Sequence, residues 1–162
     1  MTERRVEALP AGAELLGYAG LVPFAALCGG LLIAPDPAVR ATLERALLAY
    51  GCAILSFVGA VHWGLAIGGG RRRMHAPLAL LVGVVPASAG AVSVVLPTTY
   101  GLGLQVVAFA AFWLYEHRSP IAAGLPAPYL RLRRVLTLVV LAILVAALFG
   151  PVGGALAPVP RG

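Results

Sequence analysis

The sequence predicts an all-α fold: a polytopic helical bundle of five transmembrane helices, with the N-terminus cytoplasmic and the C-terminus outside. Three observations predict it. Of 162 residues, 60% are hydrophobic and 11% charged, giving a mean hydropathy of +0.95, far from the balance of a soluble domain. The apolar residues fall in uncharged runs close to the ~20 residues of helix that cross a hydrocarbon layer ~30 Å thick. The charges lie between the runs, and all twelve basic residues are Arg. With five spans and the N-terminus inside, Arg4, Arg5, Arg71, Arg72, Arg73, Arg118, Arg131, Arg133 and Arg134 are cytoplasmic, against Arg40, Arg45 and Arg161 outside. That is the bias cytoplasmic loops show.

Residues 1–13 read as a polar tail. The first span is 14–33, and Pro23 removes a backbone donor there, predicting a kink around Gly20 to Pro23. Glu3, Glu7 and Glu14, with no clean small-residue cleavage site, make this run an uncleaved anchor rather than a signal peptide. Pro35 and Pro37 end it. Ala38 to Arg45 is a short polar connection or the opening turns of the second span, 46–67, which stops at Gly68-Gly69-Gly70 and Arg71-Arg72-Arg73. The third span is 76–96, with Pro77 in its first turn and a second kink expected at Pro86. Pro97 to Gly101 is the only break before the fourth span, 102–115, the shortest. The longest loop, 116–134, closes with Pro128 to Arg134, which reads as interfacial: Tyr129 at headgroup depth and three arginines reaching outward. The fifth span is 135–150, and 151–162 is a Gly/Pro tail.

A net charge of +6 would suit nucleic acid, but these arginines sit in clusters at the ends of apolar runs. The partners expected are therefore anionic lipid headgroups, through Arg71, Arg72, Arg73, Arg131, Arg133 and Arg134. Other membrane subunits are a second class of partner, and nucleic acid is none. Cys28 and Cys52 fall inside spans and read as small hydrophobes.

Ionisable groups within spans are rare and are the places to look for function. His62 is the one ionisable group of its span, beside Trp63 and on a helical face with Leu55, Gly59 and Ala66. Its functional readings are a proton-carrying site, a haem ligand or a headgroup contact. The plainer one is a neutral imidazole bonded to a carbonyl or to Glu14. Glu14, Glu116, His117 and Arg118 map to the same depth, so the candidate polar or ligand cluster is His62, Trp63, Glu14, Glu116, His117 and Arg118. A bis-histidine haem would need His62 and His117 on facing helices. The pattern names no catalytic residues, metal set or cofactor. Ser56, Ala60 and Gly64, with Gly59, are expected to pack helices at small-xxx-small spacing; Gly83, Ala87, Ala91 and Ala142, Ala146, Gly150 form two further small-residue stripes.

Three pieces carry a resemblance: Leu16-Gly17-Tyr18-Ala19-Gly20-Leu21-Val22-Pro23-Phe24, Ile54 to Gly64 (ILSFVGAVHWG), and Tyr129-Leu130-Arg131 running on to Leu136-Thr137. Together they resemble the domain of unknown function 3429 family, whose animal relatives are called transmembrane protein 69. The resemblance implies a small multi-pass protein of bacterial inner or mitochondrial membranes, and no assigned activity. The protein is accordingly expected in the bacterial inner membrane. Its expected function is that of a non-enzymatic accessory, assembly or scaffolding protein packing against other membrane helices. The alternative is a binder of a lipid, quinone or porphyrin-type molecule in a cytoplasmic-side cleft near His62.

Overall fold

The computed structural model describes residues 12–68, 76–118 and 127–150. Six helices account for nearly all of them: α1 (Ala13–Ala19), α2 (Leu21–Ile33), α3 (Pro37–Gly68), α4 (Ala76–Val95), α5 (Thr98–Arg118) and α6 (Ala127–Phe149). The consecutive pair α1–α2 (Ala13–Ile33), and Pro37–Gly64, Thr98–Arg118 and Ala127–Phe149, are long and apolar enough to cross a membrane; Leu80–Val95 of α4 is apolar but shorter. This is a helical membrane bundle. Residues 1–11 and 151–162 of the tails, the Arg71-Arg72-Arg73 loop with His75, and residues 119–126 of the 116–134 loop lie outside the described residues.

The first span breaks at Gly20, between α1 and α2, where Pro23 cannot donate to Ala19. The Tyr50 hydroxyl of α3 donates to the Gly20 carbonyl at 2.9 Å, satisfying polar backbone that lipid would leave bare. Three helix boundaries differ from the sequence expectation, each because polar residues continue a helix. The carboxylate of Asp36 accepts from the amides of Ala38 at 2.6 Å and Val39 at 3.4 Å, and Pro37 fills the first position, where a missing N–H costs nothing. Residues 38–45 are therefore the first turns of α3. α5 starts at Thr98 and is 21 residues long, not the shortest span; Thr98 donates to Glu44 at 3.1 Å, and Gly101 closes the first turn on Pro97 at 2.9 Å. Pro128, in the first turn of α6, likewise opens a helix that runs through the arginines into the span.

The core stacks Phe24, Leu31, Leu47, Leu55, Leu102, Phe109 and Leu144, with Phe24 edge-on to Tyr50 at 4.9 Å. At the end of the bundle where α4 turns into α5, Gln105 donates to the Leu48 carbonyl at 2.7 Å and to Ser93 at 2.8 Å. A Cβ on Gly51 would overlap the Gln105 amide. Toward the other end α3 and α4 approach through glycines: a Cβ on Gly59 would overlap the Gly83 carbonyl oxygen and lie 2.9 Å from Pro86. Trp63 locks this crossing by donating to the Leu80 carbonyl at 3.0 Å.

Of the four small residues expected to pack helices, Gly59 makes the contact and Ser56 bonds within its own helix, to the Cys52 carbonyl at 2.9 Å. Ala60 and Gly64 are exposed, and a Cβ on Gly64 would meet nothing within 4 Å. The reason is rotational: once Gly59 faces α4, positions 60 and 64 turn away from it. Gly59→Ala is expected to destabilise the protein by about 1–3 kcal/mol, as overpacking does, while Gly64→Ala leaves thermal unfolding unchanged or slightly raised. Unfolding midpoints of the two variants in one detergent check the contrast.

Candidate functional site

The face of α5 that turns inward is read from Leu102, Gln105, Phe109, Phe112 and Glu116, spaced by three and four residues as one side of a helix must be. The corresponding face of α6 carries Arg133, Thr137, Val140, Leu144 and Ala147. Both faces end in a charge at the same end of the bundle, and those charges meet: Arg133 Nε donates to Glu116 Oε2 at 3.0 Å. His62 reaches the pair from α3, with Nδ1 4.0 Å from Glu116 Oε1, its ring edge-on to Phe112 at 5.0 Å. These groups are withdrawn from the surroundings: His62 is 1% exposed, Glu116 4% and Arg133 9%.

Four buried polar atoms here have no hydrogen-bond partner among the described residues: His62 Nδ1, Glu116 Oε1, Arg133 Nη2 and Thr137 Oγ1. Such orphans are uncommon in folded proteins, and each calls for an explanation. The explanation lies alongside. A cavity of about 390 Å³ opens between α1–α2, α3, α5 and α6, walled by Leu16, Leu21, Phe57, Val61 and Leu136 among others, and its lining includes Arg133, Thr137 and Tyr129. Gly17 and Gly20 line it too, so the wall is thin where α1 meets α2. An apolar chamber with a few polar groups converging on one end is the usual form of a small-molecule site.

The cluster foreseen from the sequence is brought together only in part. His62 and Glu116 meet. Glu14 is exposed, because the cleft takes Ala13, Leu16, Gly17 and Gly20 of its helix turns. His117 is exposed and stacked on Trp113 at 5.5 Å, one helical step away from Glu116 and so not facing His62. Arg118 is exposed, and the indole nitrogen of Trp63 is engaged by α4. Arg133 stands in the opposite place from the one expected. Rather than reaching out to headgroups it is buried on Glu116, whereas Arg131 and Arg134 are exposed. Thr137 lies four residues beyond Arg133 on the same face. No three His, Cys, Asp or Glu side chains among the described residues are grouped to hold a metal ion.

Removing one member of a buried ion pair strands the other charge and costs about 3–5 kcal/mol, whereas replacing both by apolar side chains is often close to neutral. Glu116→Leu and Arg133→Met are each expected to destabilise by that amount, and the double variant by much less than their sum. Chemical denaturation of the four proteins in mild detergent measures the coupling; additive losses would show that the pair is not one unit.

The model of the family described as a protein of unknown function (DUF3429) matches residues 9–149, a range that takes in every helix and the whole of the cleft. No curated protein and no solved structure is significantly similar to the chain.

Proposed function

This chain belongs to the DUF3429 family of proteins of unknown function, and we propose that it is a non-enzymatic binding protein that takes one amphiphilic molecule from the bilayer into the cleft beside Arg133. One observation carries the reading: an apolar cavity of about 390 Å³ whose lining residues include Arg133 and Thr137, each with a buried polar atom that lacks a partner. The volume is at the low end of ligand pockets, so the occupant is a single chain or ring system rather than a whole two-chain lipid. Lipid, quinone and porphyrin-type molecules all have the required form, an apolar body with hydrogen-bonding groups at one end. Unlike a nucleophile paired with a base, Arg133, Glu116 and His62 offer binding and charge balance.

A second reading, an accessory or scaffolding subunit, keeps one specific support. The stripe Ala142, Ala146 and Gly150 on α6 is exposed, and small residues let a neighbouring helix approach closely. Gly59 and Gly83 no longer argue for it, since they are used on each other.

We place the protein in the bacterial inner membrane with the cleft toward the cytoplasm, on the strength of the sequence count of nine arginines in the segments assigned inside against three outside. Reporter fusions are expected to put residue 150 outside and the 119–126 connection inside; the reverse pattern would invert the cleft. Protein purified from membranes in mild detergent is expected to carry a stoichiometric amphiphile by mass spectrometry. Val61→Phe, which fills the cleft, is expected to lose most of it. A wild-type preparation with no bound species, or one whose occupancy Val61→Phe does not alter, would reject the binding reading in favour of the subunit one.

A further inference from the structure

We propose that Arg133 and Thr137 form the headgroup seat of the cleft and receive one oxyanion, the carboxylate or phosphate of an acyl-chain amphiphile, with one proton taken up at His62. The inference rests on the binding reading and specifies its ligand. Arg133 spends Nε on Glu116, while its Nη2 and the Thr137 hydroxyl, one turn further along α6, are both buried and unpartnered, on two residues that line the same cavity. A guanidinium nitrogen and a hydroxyl on one helix face are donors to a single acceptor group, and a charged oxygen is the acceptor that gains most from them.

Charge balance supplies the second half. Glu116 already neutralises Arg133, so an added anion leaves one uncompensated negative charge in surroundings that penalise it heavily. His62 is placed to correct this. Its Nδ1 lies 4.0 Å from Glu116 Oε1, and neither atom has a hydrogen-bond partner among the described residues. When the imidazole takes a proton from the solvent, its positive charge stands beside Glu116, with Nδ1 4.0 Å from Oε1, and the group with its ligand returns to neutrality. The groups facing His62 are Glu116 and Tyr115 from α5, and Arg133 from α6 with Tyr129 beyond it. The α4 segment 76–95 contains no ionisable residue, and Glu14 of α1 is exposed. Among the described residues the charges acting on His62 are those of Glu116 and Arg133.

The test uses the full chain in phosphatidylcholine nanodiscs, titrated with radiolabelled hexadecanesulfonate, which stays anionic across the working pH range. Palmitate and hexadecyl phosphate are expected to displace the label, and palmitic acid methyl ester to do so at least about tenfold less well, a hydrogen bond to a charged group being worth about 1.5–3 kcal/mol. Thr137→Val removes only an unpartnered hydroxyl. It is expected to leave the unfolding midpoint unchanged or raised and to weaken the sulfonate about tenfold, a combination that a merely structural threonine would not produce. Affinity is expected to rise as pH falls, by up to about tenfold per unit where one proton is taken up, and His62→Gln to abolish that slope. Displacement by lysophosphatidylglycerol, which has one chain, would assign the anion to a phospholipid head, and its failure to a free single-chain acid. Equal binding of acid and methyl ester, an unchanged affinity in Thr137→Val, or a pH slope that survives in His62→Gln would overturn the proposal while leaving the cleft a binding site. If no probe, ester included, binds, the binding reading fails as well.

Discussion

A carboxylate and a guanidinium joined at 3.0 Å in the apolar interior set the rotation of the last two helices. Glu116 sits near the end of α5 and Arg133 within the second turn of α6, and as the two helices are turned both side chains are buried. Paired, they neutralise one another, and the rotation that pairs them also turns Phe109, Phe112, Val140 and Leu144 inward. The same rotation points Thr137 into the cleft. Were α6 turned by a third of a revolution, Arg133 would reach the interface as Arg131 and Arg134 do, and the cavity wall would be wholly apolar. At the opposite end Gln105 plays a matching part, tying α5 to the Leu48 carbonyl and to Ser93. Between these two polar fastenings the contacts are apolar or glycine-mediated.

The class of fold was legible because composition and run length are enough to identify membrane helices. The break at Gly20 was legible for an equally local reason, the missing donor of Pro23. Boundaries were harder, since polarity resembles a loop until the capping is considered. The Asp36-Pro37 pair announces a helix start as clearly as any sequence can, yet the polar 38–45 stretch beyond it reads equally well as a connection. The site was legible in depth but not in azimuth. His62, Glu116, His117 and Glu14 share a level along the bundle, and only two of them share a direction. For α5 and α6 the direction is present in the sequence after all: 102, 105, 109, 112, 116 and 133, 137, 140, 144, 147 are helical stripes that run straight into their charges. Arg133 is easily misjudged because an arginine between Leu132 and Arg134 looks like one of a snorkelling group.

For α3 the ambiguity lies in the sequence itself. Gly59 belongs to one small face, while Ser56, Ala60 and Gly64 make another, and spacing favours neither. What decides is the partner: Gly83 and Pro86 of α4 present a groove that only a residue without a side chain can enter, and Trp63 then bonds the Leu80 carbonyl across it. Information of that kind resides in a pair of helices, so reading one helix at a time cannot recover it.

The persistence of the cleft follows from the solvent. In water an apolar chamber of about 390 Å³ would tend to collapse or would mark strain, because closing it hides surface from water. In a bilayer that drive is absent: acyl chains are as apolar as Leu16 or Val61, and a lipid tail within the opening costs little compared with side chains filling it. Gly17 lets Leu132 and Leu136 of α6 lie close against the first span, since a Cβ there would fall 3.2 Å from Leu136. The apolar wall therefore cannot by itself choose between one greasy molecule and another. Selection falls to the few groups whose satisfaction is not indifferent, Arg133 Nη2 and the Thr137 hydroxyl, each of which is costly to leave bare in hydrocarbon. Discrimination by two donors in an otherwise permissive chamber makes the chemistry of the head, rather than the length of the tail, the property this protein is built to read.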